Sequence, residues 1–364
     1  MNNGKLFEEH VREITSTLEG MPSERDDEVV QSWLRCLNDH NLDPEHKGTA
    51  RIVPQNVLRE HQQEAEDLLR TARFGMEDLY RRVNTMGYVL LLTDAKGVTV
   101  DFIGDDKVDR KLKRAGLYIG AEWSEEKAGT CGVGACLATG EPITIHQSDH
   151  FDIAHTPLSC TAAPIYDSSG LMMGVLDVSL LMSRSEKYSQ ALTLEVVKSC
   201  VRRIELANLM ATRKSDWVLR LNSASEFLGV DPSCAISVGD NGEISGLTHG
   251  AHQMVAKSLG KDWKLSESFV GKPFEDVFNF NFNDLPFMLD AETPGEQALE
   301  MRGGKEVIFA NVQAPSRKKI KNNSGLMPAA LNKIHGGDPE MESLAGKAAR
   351  IVDKQISIIL EGET

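Results

Sequence analysis

The chain has 364 residues, 41% of them hydrophobic and 26% charged, with a net charge of −14, which excludes a disordered or fibrous protein and predicts two or three globular domains. So acidic a surface is a poor match for phosphate backbones, whose capture relies on clustered cations, and nucleic-acid contact by these residues is disfavoured. No apolar run reaches the roughly 18–20 residues of a membrane span, and Met1 to Gly20 lacks the apolar stretch of a signal peptide, so the expected location is cytoplasmic.

Residues 1–54 form a helical N-terminal segment in which Val29, Val30, Trp33, Leu34 and Leu37 recur at helical spacing before Asn41-Leu42-Asp43-Pro44 breaks the pattern. From Gln55 to Met86 the residues Ala65, Leu68, Ala72, Met76, Leu79 and Val83 predict a longer amphipathic helix. The period then shortens to that of strands. Tyr88–Thr93, the turn Asp94-Ala95-Lys96-Gly97 and Val98–Ile103 predict a hairpin, and Thr161–Tyr166, Asp167-Ser168-Ser169-Gly170 and Leu171–Ser179 a second. Between them lie a Gly- and Cys-rich stretch, Gly116–Gly140, a strand at Pro142–His146, and a loop with three histidines. A helix from Ser189 to about Arg220 carries Leu194, Val197, Val201 and Ile204 on one stripe, a candidate dimer seam. These elements describe an α+β fold: an antiparallel sheet with helices on one face and the other face free for a pocket under the loops. A smaller α+β unit follows over residues 221–313, with hairpins at Ala235–Ser245 and Gln297–Gln313. Residues 314–328, rich in lysine and asparagine, are expected to be a linker to the closing stretch 329–364.

Several stretches resemble one family. Ser32-Trp33-Leu34-Arg35-Cys36 with Leu42-Asp43-Pro44, Gly129-Thr130-Cys131-Gly132-Val133-Gly134, His150-Phe151, His155-Thr156, Ser159 to Ile165 and Gly174 to Ser179 resemble the sensory region of AcoR-type sigma-54-dependent activators, the bacterial type that includes acetoin-catabolism regulators. The resemblance is close over about Val29 to Met210 and weaker over Ser223 to Gln313. It implies a GAF-like ligand-sensing domain over 55–220 with flanking dimerisation helices, then a PAS-like domain over 221–313. Gly336-Gly337-Asp338-Pro339, Leu344 to Arg350 and Ile356 to Thr364 resemble the opening of that family's AAA+ ATPase domain, with Gly362-Glu363-Thr364 as the first residues of its phosphate-binding loop. That loop also needs a second glycine and a lysine. On this reading these residues neither hydrolyse ATP nor touch sigma-54 RNA polymerase or DNA, which falls to further domains of the family.

The candidate ligand site is Trp123, Cys131, His146, His150, Phe151, His155, Cys160 and Asp177, with strand residues as floor and loops as cover. A largely apolar cavity with a few converging polar groups suits a small molecule. A His or Asp side chain would bond an alcohol, diol, ketone or acetoin-like oxygen, and Trp123 or Phe151 would cover the carbons. The expected partners are that small-molecule effector and a second copy in a homodimer, with no cofactor and no enzymatic activity. The alternative is a metal- or redox-sensing module in which His146, His150, His155 and Cys160 supply imidazole and thiolate ligands, although their spacing matches no short paired-ligand pattern.

Overall fold

The structure, a computed structural model, describes residues 3–45, 51–105, 107, 109–183, 185–303, 307–316 and 338–349. It begins with helices α1 (Asn3–Ser16) and α2 (Asp27–Asn38), whose first turn carries Asp27 and Glu28 beside the helix dipole's positive end. The long helix expected from Gln55 is two, α3 (Gln55–Glu64) and α4 (Glu66–Val83), hinged at Ala65. Then come β1 (Tyr88–Asp94), β2 (Thr99–Ile103), α5 (Asp109–Arg114), α6 (Glu125–Ala128), α7 (Gly132–Thr139), β3 (Ile143–His146), β4 (Ser159–Tyr166), β5 (Met172–Leu180) and α8 (Ala191–Thr212).

The five strands form an antiparallel sheet in the order β2-β1-β5-β4-β3. Every residue of β1 and of β4 is buried, which requires cover on both faces. On one face Leu90, Leu92, Leu176 and Val178 meet α4 and α8 through Leu68, Ala72, Met76, Leu79, Val197, Val201 and Ile204. On the other, Val89, Leu91, Cys160, Ala162 and Val175 share a core with Ile14 of α1, Val29, Trp33 and Cys36 of α2, and Val133 and Cys136 of α7. The second face is therefore not free, as the sequence suggested; the N-terminal segment and α7 occupy it. Of the stripe on α8, Val197, Val201 and Ile204 pack within the chain, while Leu194 is half-buried.

The helix expected to reach Arg220 ends at Thr212, and Trp217–Asn222 is a strand, β6, because a short apolar run does not by itself choose between the two periods. With β7 (Cys234–Val238), β8 (Ile244–Leu247), α9 (His249–Ser258), α10 (Pro294–Gln297), β9 (Ala298–Glu300) and β10 (Val307–Gln313) it builds a second antiparallel sheet, order β8-β7-β6-β10-β9, whose core holds Leu219, Ile236, Val255, Phe269, Phe274 and Phe278. The observed class is α+β throughout.

The chain divides into two compact units, Met1–Ser316 and Arg317–Thr364. In the second, α11 (Pro339–Ala349) is capped by Asp338, whose carboxylate accepts from Glu340 N at 2.7 Å. The expected linker from residue 317 onward, the strand Ile356–Leu360 and Gly362-Glu363-Thr364 lie outside the described residues. Among the described residues no helix is long and apolar enough to cross a membrane.

Trp33 is fully buried and its indole N–H donates to the Asp149 carbonyl at 2.9 Å. Trp33→Ala is expected to lower unfolding free energy by about 3–5 kcal/mol in a denaturant titration. A change below about 1 kcal/mol would place the N-terminal helices outside the cooperative core.

Candidate functional site

Register brings the site's floor together. Ala162 pairs with Asp177 and Cys160 with Ser179 across β4 and β5, and Leu91 of β1 also pairs with Asp177. Paired residues share a face, so Leu91, Cys160 and Asp177 look toward α7 and the loops. Cys131 caps α7: its thiol accepts from Gly134 N at 3.3 Å and donates to the Trp123 carbonyl at 3.2 Å. Gly132 lets the helix start against the sheet. A Cβ there would stand 2.7 Å from Cys160 Cβ and 3.0 Å from Asp177 Oδ1.

Together Leu91, Leu117, Trp123, Cys131, Gly132, Val133, Cys160 and Asp177 line a gap of about 180 Å³ of interatomic space, none of it wide enough for a water-sized sphere. Two polar atoms of this lining, Trp123 Nε1 and Asp177 Oδ1, are buried with no hydrogen-bond partner among the described residues. Asp177 is 1% exposed; burial pushes its carboxyl up to about 7, and the Ser179 hydroxyl, donating to Oδ2, pulls the other way.

The remaining expected residues divide. His150 stands against Cys160 of the floor. Its Nδ1–H donates to the Gln147 carbonyl at 2.9 Å, which leaves Nε2 to accept from the Cys160 thiol at 3.4 Å. Complete burial pushes its pKa down to about 3, so it is neutral. His155 is buried beside Trp123, ring centres 5.1 Å apart, its Nδ1 without a partner among the described residues. Phe151 packs under Gly129, where a Cβ would come within 2.7 Å of its own Cβ. His146 points elsewhere: Nδ1 accepts from Ser159 Oγ at 2.9 Å and Nε2–H donates to the Ser185 carbonyl at 3.0 Å. It borders an open polar dent of about 390 Å³ with Arg25, Asp149 and Lys187.

The four residues of the metal alternative are not brought together in this structure. His146 faces the dent while Cys160 faces the gap, and among the described residues no group of three or more His, Cys, Asp or Glu could hold an ion. Burial also pushes the Cys131, Cys136 and Cys160 thiols well above their ordinary pKa, away from the free thiolate that attacks carbonyls.

The pocket's cover is fixed by side chains that the sequence did not single out. The Asp149 carboxylate, 3% exposed, accepts from Arg25 Nη1 at 2.9 Å, Lys187 Nζ at 2.7 Å and His146 N at 3.1 Å. His10 Nε2–H donates to the Phe151 carbonyl at 3.2 Å. Buried Glu125 accepts from Ser32 Oγ at 2.5 Å and holds Arg35 through two bonds of 2.7 and 2.8 Å, docking α2 on the turn before α7. Isolated acids and bases dozens of residues apart leave no local signal for such pairs.

A carboxyl that titrates near 7 folded and near 4 unfolded keeps an extra proton on the folded state between those values. Stability then falls as pH rises through that window and levels off above it. Asp177→Asn removes this slope, so the variant should gain on the parent chain by up to about 4 kcal/mol between about pH 4 and 8, read from paired denaturant titrations. Parallel pH profiles would show that Asp177 ionises freely.

A profile of the family described as MimR, N-terminal domain, matches residues 16–205, more than half of the chain. The chain is 42% identical over 345 residues to the acetoin catabolism regulatory protein of Cupriavidus necator, covering 93% of this chain and 51% of that protein. It is 30% identical over 151 residues to the acetoin dehydrogenase operon transcriptional activator of Bacillus subtilis, covering 42% and 25%. It thus spans about half the length of the first relative and a quarter of the second. The solved Escherichia coli DhaR(N)-DhaL complex aligns at TM-score 0.46 and 15% identity, covering 80% of this chain and 100% of that one.

Proposed function

This chain belongs to the family of the MimR N-terminal domain, and from that premise we propose that it is the effector-sensing region of a transcriptional activator of a catabolic operon, binding a small oxygenated metabolite beneath α7. The observation that carries the reading is the pair Trp123 Nε1 and Asp177 Oδ1, a donor and an acceptor left unpaired in an otherwise apolar lining. Buried polar atoms are nearly always hydrogen-bonded, and each one left alone costs about 1–3 kcal/mol. An alcohol, diol, ketone or hydroxyketone supplies the missing partners while its carbons fill space against Leu91, Leu117 and Val133. A carboxylate ligand meets the opposite situation, since its charge would face Asp177 in a dry site.

The gap is closed in this structure, so binding requires the cover to lift and reclose. The chemistry is recognition rather than catalysis: the thiols are protonated and His150 already spends both ring nitrogens. In this reading the first sheet with its helices is the GAF-like sensor and the second the PAS-like domain, and a second copy of the chain is the expected protein partner. Sigma-54 dependence rests on the resemblance of the closing stretch from Gly336, and polymerase and DNA are left to domains other than these.

Thermal shift against small alcohols, diols, ketones and hydroxyketones tests the reading. A ligand at about 100 times its Kd adds about 2.7 kcal/mol, and each kcal/mol moves Tm by about 2–4 °C for a domain of 150–250 residues. Trp123→Phe and Asp177→Asn should each weaken the responding compound about tenfold in calorimetry, the worth of one hydrogen bond. A responding compound whose Kd is unchanged in both variants would sink the assignment to this pocket, and silence from the whole panel would sink the ligand class.

A further inference from the structure

Two rigid elements begin at the gap and end at one place. The helix α7 starts with Gly132 against Asp177 and ends at Gly140, whose carbonyl accepts from the Tyr166 hydroxyl at 3.0 Å. The strand β4 carries Cys160 at the gap and six residues on, about 20 Å along an extended strand, ends at Tyr166. At that end the two sheets meet. Tyr166 N donates to Glu205 Oε1 of α8 at 2.9 Å, and Glu205 Oε2 accepts from His249 N, the first residue of α9, at 3.1 Å. The Tyr166 and His249 rings stack with centres 4.1 Å apart, and Trp263 meets His249 edge-on at 4.6 Å.

The turn of the same β4-β5 hairpin makes a second attachment. The Ser168 carbonyl accepts from Leu247 N of β8 at 2.9 Å, and its hydroxyl accepts from Arg213 Nε and Nη2 at 3.3 and 3.2 Å. Glu205 is 5% exposed and both its oxygens are engaged, one by the last residue of β4 and one by the first residue of α9. A buried carboxyl accepting from two backbone N–H groups cannot lose one without leaving a polar atom stranded, which favours a fixed geometry at this joint over a sliding contact.

The geometry points to Glu205 as the coupling residue of the sensor: a change at the Gly132, Cys160 and Asp177 floor shifts Tyr166 through β4 and α7, and Glu205 passes the shift to the start of α9 in the second sheet. The inference rests on the pocket reading for which face senses, yet it can be tested with no ligand at all.

Gly132→Ala pushes directly on Cys160 and Asp177, and Asp177→Asn is a gentler perturbation of the same floor should the first variant fold poorly. Hydrogen exchange of the full chain, followed by mass spectrometry over residues 244–258, reads the far side. The floor variant is expected to change exchange there by about fivefold or more, the low end of typical coupling between sites. Glu205→Gln, which keeps the size but replaces one acceptor oxygen by an N–H donor, should speed exchange at His249 by itself and erase the further effect of the floor variant. Exchange changes confined to residues 88–180, or effects of the two substitutions that simply add, would overturn the coupling while leaving the pocket's own test untouched.

Discussion

A sheet covered on both faces has no water to lend to a polar side chain, and that constraint governs the first domain. Asp177 sits in the middle of β5, on the face closed by α7 and the N-terminal helices, and its neighbours across the sheet are Leu91 and Ala162. Ser179 satisfies one oxygen and nothing among the described residues satisfies the other. An apolar residue of similar size would fill the place without that cost. Burial lifts the pKa of this carboxyl toward neutrality, and in the proposed reading a ligand hydroxyl would supply the missing bond. Trp123 repeats the logic with a donor in place of an acceptor.

The same constraint explains why the cover is held by ions. In the proposed reading the pocket opens to load, and the elements over it are held by ion pairs as well as by packing. Asp149 ties the loop after β3 to Arg25 before α2 and to Lys187 before α8, and Glu125 ties α2 to the turn before α7. Each carboxylate is buried while its cation partner is 23–32% exposed, so opening rehydrates the pair, which lowers the cost of breaking it relative to a pair sealed inside.

Much of this was legible in the sequence wherever one residue's neighbours are fixed by local rules. The turns at Asp94-Ala95-Lys96-Gly97 and Asp167-Ser168-Ser169-Gly170 set both hairpins, and strand period then places Cys160 and Asp177 on faces of adjacent strands. The glycine run Gly129 to Gly134 announces a helix start, and α7 begins inside it. What stayed hidden depends on distant partners. Val29 and Trp33 showed a helical stripe without showing that it closes the sheet's second face, and the stripe Val197, Val201 and Ile204 served α4 and the sheet although its spacing equally fits a dimer seam. His146 and His150, four residues apart, diverge because Gln147 adopts φ 50°, a left-handed turn rare for a residue with a side chain and unmarked by composition.

The histidines and cysteines deserve their final reading from proton inventory rather than from residue type. In the pair His150 and Cys160 one imidazole proton goes to the Gln147 carbonyl and the thiol proton goes to the free ring nitrogen. Oxidising that thiol or ligating either group would cost the bond between them. What the pair does supply is a fixed, neutral wall at the floor. In the proposed reading an incoming molecule meets Trp123 Nε1 and Asp177 Oδ1 in the gap, with the unpartnered His155 Nδ1 beside Trp123 among the described residues, and such a set would select by the ligand's own hydrogen-bond pattern rather than by its charge.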